Sequence, residues 1–199
     1  MDSLCIVGAS FAYPENCWFE MACEKLGLKP INKAISGTDI IDTAQSMKDN
    51  TLFTREELDS FATFVIMHTH NYDICSEVGV HAPFAEAYDY VVKGYIAMCQ
   101  DLEYNSDSKW YGVESGKPVD ILICTHWHDA RKYFNRSVRE FAQRWDCVRL
   151  CKFDEQIGFS MNKPDPKTGK QISVFFAHPD ANANEIIDGV EYGWHPKRG

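Results

Sequence analysis

The sequence holds no stretch of about 18 consecutive apolar residues, which excludes a membrane-spanning helix of ordinary length. It has no run of Lys and Arg, and the net charge is −9, so the basic footprint of a nucleic-acid binder is missing. None of the eight cysteines (Cys5, Cys17, Cys23, Cys75, Cys99, Cys124, Cys147, Cys151) has a Cys-x-x-Cys partner. Cys147 and Cys151 lie four apart, without the second His/Cys pair that a zinc knuckle needs. Most of these cysteines sit inside apolar patterns, where free thiols behave as small hydrophobes. No internal repeat or low-complexity tract is present, which excludes a solenoid. The first apolar run begins almost at Met1, so no leader is expected. The expectation is a cytoplasmic protein, or a periplasmic or secreted one if a leader has been removed.

What is present is alternation. Strand-like segments at 3–7, 30–35, 61–67, 119–124 and 147–153 punctuate the chain, and 61–67 is a continuous apolar run. Between them, apolar residues recur at helical spacing over 15–26, 39–49, 54–60, 84–103 and 133–145. The stripe over 84–103 runs through Ala85, Tyr88, Val91, Val92, Tyr95, Ile96 and Cys99. Strands that are continuous apolar runs are buried on both faces, so the pattern predicts a parallel sheet of about five strands between two helical layers. This is a three-layer α/β/α sandwich, formed as a single domain over 1–199. Residues 172–177 and 185–192 are expected to add a C-terminal β-hairpin arm. An α/β domain of this kind often carries a closing helix, and the expectation is that the C-terminus is cut short.

The most informative turn is Gly8-Ala9-Ser10, directly after the first strand. In open α/β sheets ligands bind at the carboxyl edge, and a serine there becomes a nucleophile when a base reaches it. Polar clusters mark the later strand ends in the same way: Ser36-Gly37-Thr38, His68-Thr69-His70-Asn71 and Thr125-His126-Trp127-His128.

In order and spacing, Gly8-Ala9-Ser10, Asn32 to Gly37, Thr69-His70-Asn71 and His195-Pro196 resemble the four blocks of the SGNH (GDSL-type) hydrolase family, as a divergent member. The chain departs from the family pattern at Ala9, where Asp is usual, at Thr69-His70-Asn71-Tyr72 in place of Gly-x-Asn-Asp, and at Tyr192, three residues before His195, where Asp is usual. The resemblance implies the flavodoxin-like SGNH fold and a serine esterase with no cofactor. It implies that Ser10 attacks an ester carbonyl. The Ser10 and Gly37 backbone N–H groups and the Asn71 amide would then stabilise the oxyanion. His195 is favoured as base, because Asp188-Gly189 upstream is similar to the family's Asp-Gly-x-His block with an insertion, and Asp188 would orient the imidazole. His178, in His178-Pro179, is the alternative base. The substrate class implied is an O-acetyl ester on a carbohydrate, with small acyl esters or lipids behind it.

Two further readings attach to particular residues. His68, His70, His126 and His128 form two His-x-His pairs at strand ends, with Asp73 and Asp129 nearby; a metal-dependent hydrolase would use such a set. Histidines lining a polar cleft are the plainer account. Tyr13, Tyr72, Trp127 and Trp194, with Phe11, could stack on a sugar ring at the cleft edge, although such residues more often serve packing. A catalytically silent carbohydrate-binding module of the same fold remains the alternative outside enzymes.

Overall fold

The structure is a computed structural model; it describes residues 2–14, 18–68, 75–76, 79–80, 82–100, 119–126, 132–156, 184–187 and 190–193. In chain order these form β1 (Ser3–Gly8), a single 3-10 turn (Ser10–Ala12), α1 (Trp18–Leu26), β2 (Lys29–Asn32), α2 (Ile40–Lys48), α3 (Arg55–Ser60) and β3 (Phe61–Met67). There follow β4 (Cys75–Ser76), β5 (Gly79–Val80), α4 (Ala82–Gln100), β6 (Ile121–Cys124), α5 (Lys132–Ala142), β7 (Val148–Cys151), α6 (Phe153–Gln156), β8 (Asn184–Ile187) and β9 (Val190–Gly193).

Five strands make one sheet in the order β2-β1-β3-β6-β7, and every neighbouring pair is parallel. Counted within that sheet, the order is the doubly wound, flavodoxin-like 2-1-3-4-5. The expected α/β architecture of about five parallel strands is therefore present.

Both faces of the sheet are covered, as continuous apolar strands require. Cys5 and Val7 of β1, Phe64 and Ile66 of β3, and Ile121 and Ile123 of β6 turn to one face. There they pack on Ile40, Ala44 and Met47 of α2, Tyr88, Val91, Val92 and Tyr95 of α4, and Phe134, Val138 and Phe141 of α5. The alternate residues Ile6, Val65, Met67 and Cys124 turn to the other face, against Phe19 and Cys23 of α1 and against Phe11 and Ala12. Period-two alternation thus feeds two separate cores.

The helix starts are written locally. The Asp39 carboxylate accepts from the N–H groups of Ile41 and Asp42 while Asp42 accepts from Asp39 N–H, a capping box at the head of α2. Thr54 and Glu57 do the same for α3. No described helix is long and apolar enough to cross a membrane.

The C-terminal arm differs from expectation. The hairpin is there, but its two strands are β8 and β9, antiparallel in the register Asn184↔Gly193 to Ile187↔Val190. Together they span 184–193, where 185–192 was expected to be one strand, and 172–177 lies outside the described residues. The two residues between the strands are Asp188-Gly189, the sequence of a tight hairpin connection. The small antiparallel pair β4–β5 and the one-turn helix α6 were not foreseen; both are too short to leave a periodic pattern.

Candidate active site

The site is built around the end of β1. Gly8 is the last residue of that strand, and β1 is central, lying between β2 and β3. A Cβ at Gly8 would stand 2.7 Å from the Ala12 Cβ and 2.7 Å from the Met67 carbonyl oxygen. Only glycine lets the chain turn here against β3. Ala9 then leads into the 3-10 turn, in which Ala12 N–H bonds Ala9 O at 3.0 Å and Tyr13 N–H bonds Ser10 O at 3.3 Å. Ser10 is half-buried at the head of this turn, at the carboxyl edge of the sheet.

Two side chains fix the turn from outside. The Trp18 indole N–H donates to Phe11 O at 2.8 Å. The Asn32 amide donates to Ala12 O at 2.8 Å and to Glu20 Oε1 at 2.8 Å, while its carbonyl oxygen accepts from Ala34 N–H at 2.9 Å. Asn32 uses both ends of its amide to join the serine turn to the segment that leads to Gly37. This clamp is a positioning element that sequence reasoning missed; Asn32 was visible only as the start of the second block.

The Gly37 loop is also bonded to β1 directly. Ile35 N–H donates to the Gly8 carbonyl at 3.0 Å, and Lys33 N–H to the Ile6 carbonyl at 2.8 Å. Gly37 itself has φ +82°, a left-handed conformation that side chains other than glycine rarely adopt. The loop closes through Thr38, whose hydroxyl donates to Ile35 O at 2.7 Å. The first and second blocks are therefore brought together. The third block begins after His68, and β3 pairs Met67 with Gly8, so it starts from the neighbouring strand end.

Of the residues expected in the site, Ser10, Gly37 and Tyr13 are described, with Tyr13 half-buried three residues after Ser10. Asn71, Tyr72, Trp127, His178, Asp188, Trp194 and His195 lie outside the described residues.

One histidine of each His-x-His pair, His68 and His126, is described. His68 is buried, its Nε2 is 2.7 Å from Thr43 Oγ1 on α2, and its backbone carbonyl accepts from the Tyr88 hydroxyl on α4 at 3.2 Å. His126 is equally buried but on the opposite face, its ring stacked on Phe11 at 5.9 Å between centroids. His68 and His126 thus have separate partners, His68 on α2 and α4 and His126 at Phe11; His70 and His128 lie outside the described residues. Both flanking strands are apolar on each face, so the sequence could not tell which way either ring turns. Among the described residues no group of three or more His, Cys, Asp or Glu side chains is placed to hold a metal ion.

His68 has a structural task instead. It ties the end of β3 to α2, the helix that follows the Gly37 loop, and neither partner can be recognised from sequence spacing. Burial pushes its imidazole down to about 3. Its Nδ1 has no hydrogen-bond partner among the described residues.

A pH effect follows. The unfolded imidazole takes up a proton near pH 6.5 and the folded one resists it, so stability is complete above 6.5 and declines as pH falls towards 3. The slope from this group approaches about 1.4 kcal/mol per pH unit. Urea unfolding between pH 7 and 4 is expected to show that slope in the wild type and a loss of about one proton's worth in His68→Gln. Parallel curves for the two proteins would remove His68 from the account.

Over residues 2–199 the sequence matches the family described as a domain of unknown function, DUF5040. The chain belongs to the DUF5040 family. No curated protein is similar to this DUF5040 chain by sequence. Among solved structures it is similar to AlinE4, described as an SGNH-hydrolase family esterase, at 16% identity over 79% of each chain with a TM-score of 0.46. It is similar to the lipase Lip_vut3 from a goat rumen metagenome at 13% identity, over 75% of this chain and 80% of that one, TM-score 0.42. It is also similar to TesA at 15% identity, over 98% of this chain and 88% of that one, TM-score 0.42.

Proposed function

We propose that this chain is a serine esterase in which Ser10 is the nucleophile and a histidine of the C-terminal segment is the base. The observation that carries the reading is the placement of Ser10. It stands half-buried at the carboxyl edge of the sheet, in a turn that only Gly8 permits, with its strand hydrogen-bonded to the Gly37 loop. Such a turn holds a hydroxyl in fixed relation to backbone N–H donors, as acyl transfer requires.

In this reading Ser10 Oγ attacks the ester carbonyl carbon and its proton passes to His195. The tetrahedral oxyanion is met by N–H groups of Ser10 and Gly37 and by the Asn71 amide. His195 returns the proton to the departing alcohol, leaving an acyl-enzyme, and then draws a proton from the water that hydrolyses it. The acyl group proposed is acetyl and the alcohol a carbohydrate, with Tyr13, Tyr72, Trp127 and Trp194 as the stacking surface.

Asp188 is the proposed third member. Between the ends of β9, residues 190 and 193, the chain advances roughly 10 Å, at about 3.4 Å per residue. That advance lies on the path from Asp188 to His195, and a Ser-His pair with its imidazole oriented by a backbone carbonyl is the second reading.

The test is covalent labelling and turnover together. A fluorophosphonate is expected to label Ser10 in the wild type. His195→Ala is expected to lose p-nitrophenyl acetate turnover by about 10³-fold or more, and His178→Ala to keep most of it. A large loss only in His178→Ala would move the base to that residue. No labelling and no turnover, with sugar binding intact, would replace the enzyme by the binding module.

A further inference from the structure

On the face of the sheet that carries Phe11 and His126, two cysteines meet. Cys124 is the last residue of β6 and Cys151 the last of β7, and they are direct partners in the parallel register. Partners in register turn to the same face. Adjacent strands run about 4.8 Å apart, inside the Cα separation of roughly 4.4–6.8 Å that a disulfide spans. Both side chains pack into the same apolar cluster, with Phe11, Ala12 and Phe19. Both are free thiols. Their surroundings differ: Cys124 is 1% exposed, whereas Cys151 is half-buried at the rim of the same core cluster.

We infer that Cys124 and Cys151 form a dithiol modification site, which a hydroperoxide converts into an intramolecular disulfide at the carboxyl edge of the sheet. The two sulfurs take distinct parts. The neighbouring Cys124 holds the Cys151 thiol below the usual range, which favours a thiolate there, while Cys151 and burial push Cys124 up. Cys151 is also the one that a small oxidant reaches.

Its thiolate attacks the hydroperoxide: an S–O bond forms, the O–O bond breaks, and the alkoxide or hydroxide leaves to take up the proton that Cys151 released. The Cys124 sulfur then attacks the sulfenic acid. An S–S bond forms, the S–O bond breaks, and hydroxide leaves with the Cys124 proton as water. Two thiols are oxidised by two electrons and one hydroperoxide is reduced to one alcohol, or water, plus one water. The cross-link would close the ends of β6 and β7, where Thr125 N–H already bonds Cys151 O at 3.0 Å and the Thr125 hydroxyl donates to Asp154 at 2.9 Å. It lies two residues from His126, whose ring packs on Phe11 next to Ser10. The inference does not rest on the esterase reading.

Peptide mapping tests it. The reduced full-length protein is treated with hydrogen peroxide under native conditions, alkylated in denaturant and digested. The expected result is a peptide pair linked through Cys124 and Cys151, lighter by two hydrogens than the two thiols and separated again by dithiothreitol. In Cys124→Ala, dimedone is expected to capture a sulfenic acid at Cys151; in Cys151→Ala neither product forms. If a variant fails to fold, the wild-type digest decides alone. Recovery of both cysteines as alkylated thiols, oxidation of Cys151 to a sulfinic acid without linkage, or linkage of Cys151 to Cys147 instead would each overturn the inference.

Discussion

Ser10→Ala is expected to abolish ester hydrolysis while leaving the fold intact. Removing a nucleophile that acts together with its base costs about 10³-fold or more, because the remaining groups cannot replace covalent attack. The fold should tolerate the change. Ser10 is half-buried, and the substitution keeps the backbone bonds from Ala12 and Tyr13 and the side-chain bonds from Trp18 and Asn32 that hold the turn. Its unfolding free energy from urea curves should therefore stay within about 0.5 kcal/mol of the wild type. Turnover of p-nitrophenyl acetate and the urea curve, measured on the same preparation, separate loss of chemistry from loss of structure. Activity of Ser10→Ala near the wild-type level would end the assignment of Ser10 as nucleophile.

Gly8→Ala is expected to damage structure and activity together. The added methyl meets two atoms at 2.7 Å, the Ala12 Cβ and the Met67 carbonyl oxygen, and neither is the far end of a flexible side chain. Relief requires the serine turn to lift away from β3 or the two central strands to part. Overpacking of this kind costs about 1–3 kcal/mol. Lifting the turn also displaces Ser10 relative to the Gly37 loop, because Gly8 O is the acceptor of Ile35 N–H. A misplacement near 1 Å costs about 10²-fold in rate. The measurement is kcat beside the unfolding midpoint for Gly8→Ala. A variant with unchanged stability and unchanged kcat would show that the contact yields freely and that the turn does not set the position of the hydroxyl.

The two variants test different links of the same chain. Ser10→Ala asks whether the hydroxyl reacts. Gly8→Ala asks whether the strand end aims it.

Much of the architecture was readable because it rests on local periodicity. The apolar run 61–67 is β3 residue for residue, and the Ser36-Gly37-Thr38 break coincides with the one described loop on this edge that needs a positive φ. The capping boxes at Asp39 and Thr54 set the starts of α2 and α3 within one residue of the expected boundaries. The placement of Ser10 after β1 was legible for the same reason, since a small-residue turn closing an apolar strand is a local signal. The hairpin was misjudged where two local signals competed, the longer polar stretch at 179–184 and the short Asp188-Gly189 step.

The order of strand, turn and helix, the burial of the sheet on both faces and the position of the serine were determined by the sequence itself, through the spacing of apolar residues and the residues that interrupt it. Only the tertiary structure decided which atoms meet across the sheet. It set Asn32 against the serine turn, His68 against Thr43, His126 against Phe11 and Cys124 beside Cys151. The physical reason is the same in each case. In a parallel sheet the partners come from strands joined by long crossovers, and strands apolar on both faces carry no alternation to reveal register or facing.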